Sequence, residues 1–128
     1  MKLPKGHQVV MPYLVVKRAL KFIDFVISVF DAKLDTSMHK LRGDGAAVMH
    51  SEIAIGGSTI MFSDATEQWT EQTANLFVYV ENADETYQKA IDSGATTLMG
   101  LSDQDYGHTC GVTDPFGNVW WITSVNKV

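Results

Sequence analysis

Two passes through the same order of elements predict an α+β fold of two βαβββ units, each a mostly antiparallel sheet backed by one helix. Three observations carry this reading. Helical stretches at residues 18–30 and about 83–92 each follow an apolar strand, and each is followed by an alanine, Ala32 and Ala95, at a matching place. Each half then closes on a hairpin announced by its turn, Gly56-Gly57 in the first and Asp114-Pro115-Phe116-Gly117 in the second. A polar segment at 64–73 separates the halves.

Taken in order, residues 9–16 are apolar and β-branched, the composition of a strand. Ala19, Leu20, Phe22, Ile23, Val26, Ile27, Val29 and Phe30 recur at the spacing of one buried helix face. Residues 33–40 alternate weakly and read as an edge strand, and residues 42–45 form a polar loop containing glycine. Strands at 48–55 and 58–63 flank Gly56-Gly57. In the second half, 76–80 is a strand. Asn82 is placed to cap the next helix, with Glu85 positioned to reach back to it. Gly94 stops that helix, 96–99 is a short strand, and a loop runs through 102–105 to the final hairpin.

The chain has 128 residues, enough for one domain, with 45% hydrophobic and 20% charged residues, as expected of a globular protein. A formal net charge of −5 with no Lys/Arg cluster argues against a nucleic-acid partner. No stretch approaches the ~20 apolar residues that span a bilayer, so no membrane partner is expected. Cys110 is the single cysteine, so no intramolecular disulfide can form, and the amino terminus lacks a signal-peptide pattern. A cytoplasmic location is the expectation.

The turns set which side chains share a face. A two-residue Gly56-Gly57 loop pairs Ile55 with Ser58, places Glu52 opposite Met61 and puts His50 opposite Ser63. That mixed face is the open one, while Ile53, Ile55, Ile60 and Phe62 turn toward the helix. A four-residue loop at 114–117 pairs Thr113 with Asn118, Cys110 with Trp121 and His108 with Thr123. His50 and His108 then become matching positions, as do Met61 and Trp121. Each has a plainer role beside a functional one. A strand histidine commonly serves as a hydrogen-bonded structural residue, and Cys110 reads as a small buried hydrophobe. Trp120 and Trp121 should split between the helix side and the open face. Trp69, in the linker, either covers the open face or anchors its loop.

Several segments together resemble a known family. They are Pro12-Tyr13, His50 through Gly57, Ile60-Met61-Phe62-Ser63-Asp64, Tyr106-Gly107, and Asp114-Pro115-Phe116-Gly117-Asn118-Val119-Trp120. In this order and spacing they are similar to the vicinal oxygen chelate superfamily of glyoxalases, bleomycin-resistance proteins and extradiol dioxygenases, and within it to the PhnB-like branch. The resemblance covers nearly the whole chain. It implies a single domain, 1–128, whose modules at about 7–64 and 74–126 form a cup with the helices outside. It also implies a homodimer, for which the edge strand at 33–40 offers a pairing surface.

The metal-ligand positions of that superfamily fall on Met11, Met61, Asn75 and Trp121. Thioethers, an amide and an indole do not suit zinc or iron, so no metal and no cofactor are expected. A relocated site from His50, Glu52, His108 and Cys110 would have to gather strands of both halves. Relatives often carry an arginine where this chain has Thr109, so an anionic-substrate role attached to that arginine is not expected to carry over. No Gly-rich methyl-donor signature is present, so the methyltransferase label attached to the branch does not transfer. The implied function is metal-independent binding of a small organic ligand. Tyr13, Phe77, Tyr79, Tyr106 and Trp121 would supply aromatic surface, Met61 would line the cup, and His50, Glu52 and His108 would supply polarity. The alternative is a lyase or isomerase acting on a small oxygenated substrate, with Glu52 or His50 as general base.

Overall fold

The computed structural model describes residues 1–126. It is α+β and divides into two compact units, residues 1–27 with 31–73, and residues 28–30 with 74 onward. Unit 1 contains β1 (Tyr13–Val16), α1 (Ala19–Phe30, whose last three residues group with unit 2), β2 (Lys33–Leu34), a 3-10 turn (Thr36–Met38), β3 (Lys40–Leu41), β4 (Val48–Ile55) and β5 (Ser58–Asp64). Its sheet runs β1-β5-β4-β2, with β3 also on β4. Only the β1–β5 pair is parallel; the others are antiparallel.

Unit 2 repeats this connectivity with β6 (Asn75–Tyr79), α2 (Ala83–Asp92), β7 (Thr96–Gln104), β8 (Gly107–Thr113) and β9 (Val119–Ser124), in sheet order β6-β9-β8-β7. Again the first strand lies parallel to the last, β6 on β9. Each unit is thus a mixed sheet with a single parallel pair at its first strand.

In unit 1 the core is Leu14, Val16, Phe22, Val26, Ile53 and Phe62, all essentially inaccessible. Phe22 meets Phe62 edge to face, centroids 5.1 Å apart. Leu20 and Ile27, assigned above to the buried helix face, are about 40% exposed. They stand seven residues apart and form a stripe beside the core rather than over it. The α1 amino terminus is held from a distance. Asp64 accepts from the Ala19 backbone N–H at 2.8 Å and from Val48 N–H at 2.7 Å. One carboxylate thereby ties the helix start to β4.

Three element boundaries differ from the sequence reading. The first strand is only Tyr13–Val16, and Val9 and Val10 are over 70% exposed. Pro12 offers no N–H to a ladder, and the residues before it bond otherwise. The Gln8 amide donates to the Thr59 carbonyl and accepts from Thr59 N–H. The edge strand at 33–40 breaks after Leu34 because the Asp35 side chain takes the Ser37 N–H and hydroxyl, winding a 3-10 turn. Finally, the loop expected at 102–105 is the end of a longer β7, which reaches Gln104 through two register irregularities.

Unit 2 is built around Trp120, Ile122, Val112, Cys110, Ala83 and Ala90. Phe30 packs on Trp120, centroids 4.7 Å apart. Asn82 caps α2, its side chain accepting from Glu85 N–H at 3.2 Å. The closing turn is organised by one buried carboxylate. Asp114 accepts from the backbone N–H of Phe116 and Asn118, from the Asn118 amide and from Trp120 Nε1–H, all within 2.9 Å. Asn118 in turn accepts from Ala74 N–H at 2.9 Å, tying the entry of β6 to the turn. The segment that most strongly suggests the family is therefore a structural knot.

Candidate functional site

The first hairpin has the expected register, with Ile55 opposite Ser58 and Glu52 opposite Met61. Gly56 sits at φ 57°, a conformation that a two-residue hairpin loop requires and glycine supplies cheaply. Alternation then places Glu52, Met61, Tyr13, Val15 and Ser63 on the open face of unit 1. Between Leu41 and Lys40 the β3–β4 register skips one residue, Met49. Such a bulge shifts the alternation, so Met49 joins His50 on the open side while Val48 is fully buried.

Glu52 is only 1% exposed, yet both its oxygens are occupied. His7 Nε2 lies 2.7 Å from one and His50 Nε2 lies 3.0 Å from the other. Burial pushes the Glu52 carboxyl up, but the hydrogen bonds from His50 and His7 outweigh it and hold the group below its ordinary range. An ionised carboxylate only accepts, so each imidazole donates from Nε2. His50 Nδ1 then faces the Tyr13 hydroxyl at 3.4 Å, with ring centroids 5.7 Å apart. His7 was not among the expected site residues. It reaches Glu52 because Gly6 and Gln8 are pinned to Thr59. No periodicity marks a histidine 45 residues away from its partner.

Beside this cluster, unit 1 holds a cavity of about 920 Å³ lined by Tyr13, Val15, Arg42, Met49, Ser63 and residues 66–69. Trp69 lines it while remaining 63% exposed. A tight turn sets its position: Thr66 N–H donates to the Trp69 carbonyl, and Trp69 N–H donates to the Thr66 hydroxyl. Neither Arg42 nor Met49 was singled out by the sequence reading. Arg42 lies in a loop without pattern, and Met49 depends on the bulge.

In unit 2 the second hairpin corrects the sequence reading by one residue. Thr113 pairs with Val119, Cys110 with Ile122 and His108 with Ser124. The turn holds five residues rather than four, because Asp114 N–H bonds the Asn118 carbonyl and closes the loop one step later. Cys110 therefore joins Trp120 and Ile122 in the core, where burial pushes its thiol up to about 11. His108 leaves the face of Trp121. Its ring nitrogens meet Asp84 of α2 at 2.8 Å and Asp103 at 2.7 Å. Those bonds, Asp84 first, raise its affinity for a proton. The position matching His50 is Thr109, which shares a hydroxyl–hydroxyl bond of 2.7 Å with Thr123.

Trp121 pairs with Phe77 and Gly111 as Met61 pairs with Tyr13 and Glu52. Its indole covers Gly111 so closely that a Cβ there would collide with the ring. Phe77, Tyr79 and Tyr106 form an exposed aromatic surface, with Phe77 centroids 5.2 Å from Tyr79 and 6.1 Å from Tyr106. Of the positions that the resemblance assigns to metal ligands, Trp121 Nε1–H donates to Asn75 Oδ1, so the two occupy each other. Met11 accepts from Gln8 N–H. An indole N–H has no lone pair to give, and thioethers suit soft ions, so this donor set does not fit zinc, iron or manganese.

The sequence profile of the Glyoxalase/Bleomycin resistance protein/Dioxygenase superfamily matches residues 6–122, and the chain belongs to that superfamily. Among its relatives, uncharacterized protein Mb0911c of Mycobacterium bovis is 31% identical over 121 residues, covering 85% of this chain and 78% of its own. The PhnB protein from Bacillus cereus is similar in structure, with TM-score 0.69 at 22% identity over 92% of this chain and all of its own. TnmS3, an antibiotic binding protein from Streptomyces sp. CB03234, has TM-score 0.66 at 15% identity over 94% of this chain and all of its own. At these identities the structural likenesses establish the fold. Among the described residues no helix is long and apolar enough to cross a membrane.

Proposed function

We propose that this protein binds a small organic molecule without a metal ion, and that the ligand seats on the open face of unit 1. The observation that carries the reading is the 920 Å³ cavity between Tyr13, Trp69 and the sheet. A volume of about 300–1,000 Å³ with apolar walls and few polar groups is the usual form of a small-molecule site. His50 and Glu52 lie on the same face beside it, and the aromatic surface of Phe77, Tyr79, Tyr106 and Trp121 gives unit 2 a second stacking area. Antibiotic binding by TnmS3, a protein of the same fold, is consistent with this reading. Membership in the PhnB-like branch is part of the proposal and rests on the quoted segments and the Bacillus cereus likeness.

Catalysis by a lyase or isomerase has one observation in its favour, the Tyr13–His50–Glu52 chain. Against it, Glu52 has both oxygens engaged and a depressed proton affinity, the reverse of what a general base near neutrality needs. The Tyr13–His50 contact of 3.4 Å is also long for proton transfer. Binding is therefore the better supported reading. Native mass spectrometry of the purified chain, with elemental analysis, tests it. A retained small molecule that survives chelator and is lost in Trp69→Ala is expected. One tightly held ion per chain, whose removal also releases the ligand, would overturn metal independence.

A further inference from the structure

Arg42 stands apart from every other polar group in unit 1. Its Nε is buried and has no hydrogen-bond partner, alone in this among the described residues. Its Nη2 reaches the Asp64 backbone carbonyl only at 3.4 Å. A buried guanidinium donor left unmade carries a cost, which a better acceptor would recover. Arg42 also lines the cavity, where it is the cationic wall residue. The lining carboxylate, Glu67, is exposed to water and screened by it, whereas Arg42 is partly withdrawn from solvent. The Asp64 side chain accepts from Ala19 and Val48 N–H rather than from the guanidinium.

We infer that the ligand is a small flat organic acid, its oxyanion taken by Arg42 and its ring held against Trp69 and Tyr13. The inference rests on the binding reading above and adds the chemical class of the ligand. The weak bond to Asp64 holds Arg42 loosely, so the guanidinium can swing into the cavity and present Nε and one Nη together. That fork matches the two oxygens of a carboxylate or sulfonate. Val15 and Met49 supply apolar walls beside the ring. The overall charge of −5 works against anion binding elsewhere on the surface, so a preference for an acid must come from a local cation.

Two fluorescent probes with one ring system separate the claims: anilinonaphthalene sulfonate and its uncharged parent, N-phenylnaphthylamine. The wild-type chain should bind the sulfonate roughly tenfold more tightly than the parent, the scale of one charge-assisted hydrogen bond. Arg42→Met should bring the two within about twofold by weakening the sulfonate far more than the parent, and Trp69→Ala should weaken both. Benzoate should displace the sulfonate, and inorganic phosphate at equal concentration should not. Equal affinity for both probes in the wild type, or a sulfonate preference that survives Arg42→Met, overturns the inference and leaves the binding site standing. Displacement by phosphate as effective as by benzoate overturns the organic-acid assignment. Failure of the wild type to bind either probe removes the binding reading itself, and this inference with it. If circular dichroism shows Arg42→Met unfolded, Arg42→Lys decides. It keeps the charge without the fork, and a preference undiminished by that change counts against the assignment.

Discussion

Asp114 is 4% exposed and accepts four hydrogen bonds in the closing turn. Its replacement by alanine removes the acceptor used by the Trp120 indole N–H and by two backbone donors inside the core. At about 1–3 kcal/mol for each buried unsatisfied group, Asp114→Ala is expected to cost at least ~3 kcal/mol in urea unfolding, and a loss below 1 kcal/mol would contradict the network. Glu52 makes a different, pH-dependent contribution. Its folded proton affinity lies below the ordinary 4.5, so its stabilisation is present above that value and is lost as pH falls through the depressed folded value. Melting temperature should therefore fall in this acid window less steeply for Glu52→Gln than for the wild type. His108 has the opposite sign. With its affinity raised above the ordinary 6.5, its contribution is present below 6.5 and disappears as pH rises through the folded value. It is partly exposed, so the stability effect is small and the direct check is an NMR titration. His108 should titrate above 6.5, and Asp84→Asn should bring the midpoint down.

The hairpins show how much an element's register decides. In β4–β5 the paired glycines set the pairing, and Phe62 falls on the helix side against Phe22 with no exposed surface. Phe62→Ala should cost roughly 3–5 kcal/mol of stability, measured by chemical denaturation. A cost near zero would mean that Phe62 faces solvent and that the register is inverted, with Glu52 in the apolar core. In β8–β9 the loop holds one residue more than its motif suggests, and that single residue moves Cys110 and His108 off the face of Trp121. The reason was legible only in part. The sequence marks a turn at Asp114 and Gly117, but whether Asp114 N–H bonds residue 117 or 118 depends on Asn118 being drawn inward by Asp114 and Ala74. The Met49 bulge has a similar origin, since the short β3 can pair with β4 only by skipping a residue.

Each of the two units places a first strand parallel to the last, a helix between the first two strands and a closing hairpin. The repetition covers positions as well as elements: Tyr13, Met61 and Glu52 are matched by Phe77, Trp121 and Gly111. The polar site of one unit has thus become, in the other, an indole lying on a glycine. As a whole molecule the chain is expected to be a homodimer, because β2 leaves an open sheet edge in unit 1 and β7 leaves one in unit 2. Light scattering at micromolar concentration should give twice the 14.1 kDa chain mass, and a monomeric mass would refute it.

Periodicity and turn chemistry by themselves determined the α+β class, both helices, the first hairpin register and the Asn82 cap, since each follows from residues within a few positions of one another. The same local reading found Glu52 and His50 on one face, while it was the family resemblance that assigned the metal-ligand positions to Met11, Met61, Asn75 and Trp121. Tertiary structure alone decided which groups meet them. His7 reaches Glu52 across 45 residues, Arg42 reaches the cavity from a loop, and His108 turns to Asp84 because one buried carboxylate lengthened a turn. Those outcomes rest on hydrogen bonds between distant segments, whose partners are chosen by burial after the sheets have formed and not by any spacing along the chain.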